Sequence, residues 1–406
     1  MVTKDIPVNH NILVWARKEA NLSPGRAAQK AKITEIKKRG SIEPLTPSLR
    51  LERWENNDGS PTYAQLLKLA KAYRRPVLTF FLSKPPKKEV RLLDFRTLGN
   101  KETEINTFEA EFSALVRQSG AIQKSVREIL QESNKEPLSF VGSITLHSDP
   151  AEVAHNIRDT LNCDFTNQKK IRTVQSLFSF IRDKSEEKGI YVIVQGNLGS
   201  RHTNMSPNVF RGFTISDKLA PFIIINPNDT KTANVFTLVH ELCHVWLGDT
   251  GVSNWNSLNI QEPKPTIQNE QFCDQVAAEF LVPKTDLFKQ WELLTIGYEA
   301  DVVIKRIARQ FKVSPIVIAR RLLEFNEISS EAYWNWYDEY QDEWMRIKEE
   351  LKSKETEPPS YRIRTRTKLG NALINTVIDA TREGKISELD ASVILNVKIN
   401  NFSKIL

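Results

Sequence analysis

Apolar residues at helical spacing over most of the chain, interrupted by three short strand-like runs between residues 190 and 225, predict a mainly α protein with a small β-sheet, an α+β fold. Two polar, proline-bearing stretches, Lys84–Lys88 and Lys352–Ser360, set off an N-terminal helical bundle and a C-terminal helical region from a central core. The expected division is 1–83, then bridging helices over 84–165, a core over 166–300, a helical extension over 301–352 and a small helical unit over 353–406.

The elements follow in order. Between Asn9 and Phe81, Ile12, Trp15, Ala16 and Ala20 recur at helical spacing, and Ser23-Pro24 reads as an N-cap with a first-turn proline. A third helix is expected at Thr46–Asn56, and a fourth is capped by Thr62 after the break at Asn57–Pro61. Thr107–Glu132 carries Phe108, Phe112, Leu115, Val116, Ile122, Val126 and Ile129 at the spacing of a long amphipathic helix; Val153–Leu161 and Val174–Lys188 read as two more. Strands are expected at Ile190–Val194, Val209–Ile215 and Phe222–Ile225, forming a small sheet against the helix that follows. Beyond Pro283 come helices at Val302–Phe311 and Val313–Phe325, the latter with Ser314 and Pro315 at its start. The aromatic stretch Tyr333–Leu351 is expected to pack on its own domain, and Arg362–Leu406 to form two helices parted by Gly384, with Ser387 capping the second.

The chemistry concentrates at Thr237–Gly248, T-L-V-H-E-L-C-H-V-W-L-G. On a helix His240 and His244 stack one turn apart, so both imidazoles can grip one tetrahedral zinc ion. Glu241 lies about 100° round the helix, within reach of a metal-bound water whose proton it can take and pass to a leaving amine. Phe236, Leu238, Val239, Leu242, Val245, Trp246 and Leu247 bury this motif, and buried imidazoles and a carboxylate demand a metal or polar partners. A catalytic site needs a third protein ligand. Glu270 is the candidate, on a helix whose apolar face is Phe272, Val276 and Phe280; Asp274, four residues on, is placed to hydrogen-bond a ligating histidine. Glu279 is the rival ligand. His202, in the loop Gly196–Pro207, is a lesser candidate for stabilising an oxyanion.

Arg211–Asp217 (R-G-F-T-I-S-D), Ala220–Asn226 (A-P-F-I-I-I-N), Phe236–His244 and Glu270–Pro283 together resemble the ImmA/IrrE family of zinc metallo-endopeptidases. The resemblance implies a zincin-like core with His240, His244 and Glu270 as metal ligands and Glu241 as the catalytic carboxylate. It implies narrow proteolysis of a partner such as a transcriptional repressor, in a stress, mobile-element, toxin–antitoxin or phage-defence setting. Cys243 departs from the family, which more often has a small residue there. The blocks W-E-N-N-D-G-S-P-T and L-L-K-L-A-K-A-Y-R-R-P resemble the helix-turn-helix of Cro-like (XRE-like) repressors, which implies that Ser48, Arg50 and Arg53 face the major groove. The departure is an insertion at Thr34–Leu45, where such a turn is normally three or four residues. Either Lys37, Lys38 and Arg39 extend a basic loop onto DNA, or the domain docks protein.

Charge supports a nucleic-acid contact at one end. Residues 1–89 hold 18 Lys and Arg against 8 Asp and Glu, so they carry +10 of a chain whose total is +7. The three cysteines form no disulfide framework, the N-terminus lacks a secretory apolar core, and no apolar run reaches a membrane span, so a cytoplasmic protein is expected. The reading is a metallo-endopeptidase with one zinc ion per chain, a protein substrate, and double-stranded DNA as a second partner of residues 1–83. The alternative is a DNA-binding regulator or antitoxin-like protein with a structural or latent zinc site.

Overall fold

Side-chain caps fix where the helices begin. A computed structural model describes residues 8–20, 22–35, 45–85, 102–200, 203–253, 265–337, 340 and 360–402. They fall into two units, Met1–Arg117 and Gln118–Leu406, with the division inside one long helix.

In the first unit, α1 (His10–Glu19) starts on Asn9, α2 (Pro24–Lys30) on Ser23 and α3 (Pro47–Glu55) on Thr46, each cap accepting a backbone N–H from the first turn. In front of α4 (Tyr63–Tyr73), the Gln65 carboxamide accepts from the Thr62 N–H at 2.9 Å, half of a capping box. A 3-10 turn at Val77–Phe81 returns the chain to its start, where the Asn9 N–H reaches the Phe80 carbonyl at 3.0 Å. Ile12, Leu13, Ala16, Leu51, Leu66, Leu69 and Phe80 make the core. A half-buried Arg17–Glu55 pair adds two bonds, 2.6 and 2.7 Å.

α5 (Glu102–Glu132) begins five residues before the predicted start and ends as predicted. In the second unit, α6 (Pro150–Leu161), the short α7 (Phe165–Lys170) and α8 (Val174–Glu187) precede the sheet. The sheet has four strands, not the three predicted: β1 (Tyr191–Val194), β2 (Gly212–Ile215), β3 (Phe222–Ile225) and β4 (Gly251–Ser253). Their order is β1-β3-β2-β4, with β1 parallel to β3 and the other pairs antiparallel. Every residue of β2 and β3 is buried, which accounts for the continuous apolar reading of F-I-I-I.

α9 (Lys231–Leu247) packs on this sheet and on α8, and is buried at every position from Val235 to Trp246. It starts on Thr230, whose hydroxyl accepts from the Ala233 N–H at 3.1 Å. It ends at Gly248 in the left-handed region, φ 71°, where an added Cβ would come within 2.9 Å of the Gly142 Cα. Trp246 stacks on Phe140 and donates to the Asn156 carboxamide at 2.8 Å. α10 (Pro265–Leu281) lies against α9 and α6, and α11 (Lys284–Thr295), α12 (Ala300–Phe311) and α13 (Pro315–Glu324) follow. One apolar cluster runs from Val141 to Tyr333 through α6, β1, β3 and α8 to α13, joining residues that the sequence assigned to three separate segments. Tyr333 is buried in that cluster, with Trp336 and Tyr337 packed against it, whereas Trp334 is 48 % exposed; residues 338–339 and 341–351 lie outside the described residues.

The C-terminal region holds four helices where two were predicted: Tyr361–Leu369, Asn371–Arg382, Glu388–Ile394 and Ile399–Phe402. Ser387 caps the third through a reciprocal bond with Asp390. Glu186 accepts the N–H groups of Asn371 and Ala372 at 2.8 and 3.0 Å, while Arg182 donates to the Thr367 carbonyl at 2.6 Å. Among the described residues no helix is long and apolar enough to cross a membrane.

Candidate metal centre

α9 and α10 supply the site. His240 and His244 stand one turn apart on α9, with ring centroids 5.0 Å apart and Nε2 atoms 3.2 Å apart. The Glu270 carboxylate, at the facing turn of α10, reaches both: one oxygen lies 3.2 Å from His240 Nε2 and the other 3.3 Å from His244 Nε2. Asn269 holds this end of α10 to the end of α9 by donating to Asp249 at 2.9 Å. The two Nε2 atoms and the two carboxylate oxygens thus gather around one point. With metal–ligand bonds of 2.0–2.1 Å, tetrahedral zinc needs ligand–ligand edges of about 3.3 Å.

Asp274 sits 2.9 Å from His240 Nδ1. An N–H donated there fixes the tautomer and leaves the Nε2 lone pair for the shared point. Burial pushes the His240 pKa down, but bonds to Asp274 and Glu270 outweigh it and hold the imidazole well above its ordinary 6.5. Burial likewise opposes ionisation of Glu270, yet the two histidines pull its carboxyl down to about 2. Two buried carboxylates around two imidazoles therefore call for a cation, either a proton on a ring or a metal ion. His244 Nδ1 is buried and has no hydrogen-bond partner among the described residues, so the two imidazoles are not equally supported.

Glu241 is fully buried. It lies over β2, where the Thr214 hydroxyl donates to its Oε2 at 2.7 Å and reaches its backbone carbonyl at 3.1 Å. Gly212, two residues along the same strand face, leaves room for that carboxylate; a Cβ there would meet Glu241 Oε1 at 2.8 Å. Motif reading names neither Gly212 nor Thr214. The signal available to it was G-F-T at the start of a strand that precedes the motif, with a small residue and a hydroxyl on one face.

Cys273, which the sequence reading passed over, brings its thiol within 4.8 Å of the ligand atoms of His240 and His244. Burial and the neighbouring Cys243 thiol push its pKa well above 9.0, so it stays protonated where Glu270 is ionised. Glu270 is also within 3.3 Å of both rings and is the better third ligand. Glu279 is engaged elsewhere: it pairs with Arg321 and accepts the Lys284 N–H at 3.0 Å.

The predicted DNA-facing residues of α3 are placed as follows. Arg53 makes two bonds to Asp58, 2.6 and 3.0 Å. Arg50 lies over the Trp54 ring at 5.0 Å and donates to the Thr34 carbonyl at 3.2 Å. Ser48 pairs with Thr46 at 3.3 Å. Lys37, Lys38 and Arg39, with most of the insertion, and His202 lie outside the described residues.

No curated protein and no solved structure matches the chain. Residues 186–323 match a family model, Peptidase_M78, described as the IrrE N-terminal-like domain. That span runs from the end of α8 through α13 and contains His240, Glu241, His244, Glu270 and Asp274. The chain thus carries, over 186–323, a metallopeptidase-type segment similar to the IrrE N-terminal-like family.

Proposed function

We propose that the protein is a zinc-dependent endopeptidase that cleaves a protein partner, with His240, His244 and Glu270 as the ligands of one zinc ion. The observation that carries this reading is the convergence of three side chains: the two Nε2 atoms lie 3.2 Å apart, and one Glu270 oxygen lies 3.2 Å from His240 and the other 3.3 Å from His244, a donor set that suits zinc. When bound, zinc supplies a lowered pKa for that water and polarises the scissile carbonyl. Asp274 holds His240 in the tautomer that offers Nε2. Glu241 takes the proton from the attacking water on its carboxylate and returns it to the leaving nitrogen; Thr214 keeps that carboxylate in place through Oε2. The burial of α9 around these groups excludes bulk water from the proton's path. The resemblance noted above favours a transcriptional repressor or a toxin–antitoxin component as substrate.

A second reading, a DNA-binding regulator with a structural or latent zinc site, is favoured by the +10 charge of residues 1–89. Under it Ser48, Arg50 and Arg53 of α3, with Lys37, Lys38 and Arg39, approach duplex DNA. One experiment separates the two. Metal content is measured on the wild type, His240→Ala, Glu270→Ala and Glu241→Gln, and each is assayed for its cellular function. Endopeptidase action predicts zinc in the wild type and in Glu241→Gln, loss of zinc in the other two, and loss of function in all three variants. Function that survives Glu241→Gln refutes it and leaves the binding role.

A further inference from the structure

The metal centre holds two donors of opposite character on one turn of α10. Glu270 offers a hard carboxylate oxygen; Cys273, three residues on and so on the same helix face, offers a soft sulfur. The Cys273 Sγ and one ring nitrogen each of His240 and His244 all lie within 4.8 Å of one another, and all three residues are buried. The Cys273 side chain is 0 % exposed, and its hydrogen-bond partner is the Cys243 thiol on α9, also 0 % exposed. Neither cysteine is in a disulfide, and the zinc chemistry set out above uses neither thiol.

Geometry decides which ion can use the sulfur. With metal–nitrogen bonds of about 2.05 Å and a metal–sulfur bond of about 2.3 Å, a tetrahedral ion needs its N···S edges at about 3.5 Å. The observed spacings reach at most 4.8 Å, so the sulfur has to approach by no more than about 1.3 Å. A change of χ1 at Cys273 moves the sulfur farther than that with the backbone in place, and it breaks only a weak thiol–thiol bond. Glu270 already stands 3.2 and 3.3 Å from the two rings and needs no such approach. Zinc, which accepts oxygen as readily as nitrogen, is served by the carboxylate, whereas a soft ion gains enough from sulfur to draw the thiol in. A coordinated thiol gives up its proton to solvent, so the bound sulfur is a thiolate.

We propose that the centre accepts a second class of metal ion, a soft thiophilic divalent cation, held by His240, His244 and the Cys273 thiolate with Glu270 as the fourth donor. Four protein donors close a tetrahedral site to water, so such an ion displaces zinc and leaves the centre without its nucleophile. The two histidines are those of the zinc reading, on which this inference rests; the selectivity belongs to Cys273 alone.

The test adds cadmium to the full chain, both zinc-loaded and stripped by a chelator. Cadmium is expected to raise the ultraviolet charge-transfer band of a cadmium–thiolate bond and to displace zinc. Cys273→Ala is expected to lose that band and to lower the preference for cadmium over zinc about tenfold or more, while zinc affinity itself changes less than about threefold. Cys243→Ala and Cys163→Ala are expected to keep the band. Circular dichroism checks that each variant is folded, and cadmium NMR of the wild type reads sulfur ligation without any substitution. A wild type that takes up zinc but shows neither the band nor a sulfur-shifted cadmium resonance overturns the proposal and leaves the zinc reading standing. A wild type that binds neither ion overturns both. A band that survives Cys273→Ala, or that is lost only in Cys243→Ala or Cys163→Ala, overturns the assignment to Cys273.

Discussion

Replacing Gly212 with alanine tests how closely β2 holds the Glu241 carboxylate. The added methyl would stand 2.7 Å from Thr237 Cγ2, 2.8 Å from Glu241 Oε1 and 3.1 Å from Glu241 Cγ. Gly212 has no left-handed backbone to lose, so the whole effect is one of space. Both neighbours lie on α9, Thr237 5 % exposed and Glu241 not at all, and neither can swing into solvent. The helix or the carboxylate must give way by several tenths of an ångström. Overpacking of this kind costs about 1–3 kcal/mol, and we expect about 2 kcal/mol for Gly212→Ala. Misplacing a catalytic group by about 1 Å lowers turnover by about a hundredfold. Zinc content should be unchanged, because no metal ligand is among the atoms the methyl meets. The assay is urea unfolding followed by tryptophan fluorescence, with metal content and cleavage measured on the same samples. Gly297→Ala is the control, since a Cβ there meets nothing within 4 Å. If Gly212→Ala unfolds at the same urea concentration as Gly297→Ala and cleaves as well as the wild type, the packing argument is wrong.

Other outcomes follow from the same contacts. Thr214→Val removes the hydroxyl that donates to Glu241 at 2.7 Å, and should lower stability by about 1.5–3 kcal/mol in urea unfolding, the worth of a bond to a charged group. Asp274→Ala frees the His240 ring and should weaken zinc binding about 10–100-fold in competition with a chromophoric chelator. Glu55→Ala strips the carboxylate partner from half-buried Arg17, which keeps its bond to the Leu22 carbonyl, and should destabilise the first unit by about 1–3 kcal/mol on denaturation; no measurable loss would contradict it. Burial pushes the Cys163 thiol from 9.0 up to about 12. The unfolded chain then releases this proton at lower pH than the folded one, so stability falls as pH climbs through that window, and Cys163→Ala should flatten the fall.

Sequence periodicity located what is local. The His240, Glu241 and His244 spacing, the four-residue spacing of Glu270 and Asp274, and the caps at Ser23 and Ser387 were all legible, because each depends on neighbours within one or two turns. The fourth strand was not: Gly251-Val252-Ser253 is too short to show alternation, and it becomes a strand through pairing with Gly212–Thr214. The floor under Glu241 was hidden for the same reason, since Thr214 and Glu241 meet only after β2 has been laid against α9. Cys273 entered the site unannounced because nothing about an alanine-sized position on α10 distinguishes a filler from a near neighbour of two imidazoles. The first strand pair was placed to within one residue, whereas β2 begins three residues later than its apolar run, at the turn leading from Phe210.

Glu186, which receives the first amides of the helix Asn371–Arg382 across 185 residues, has a consequence for the order in which the chain folds. Every contact within the first unit closes inside 117 residues, so that unit can form while synthesis continues. Arg182 and Glu186 pair with each other, and Arg182 also reaches the Val192 carbonyl, but their bonds to residues 367–372 must wait until that stretch has left the ribosome. The second unit therefore completes only after residues 367–372 have been made. A stop codon before residue 367 should yield a protein whose first unit is folded and whose second unit lacks the backbone groups that Arg182 and Glu186 engage.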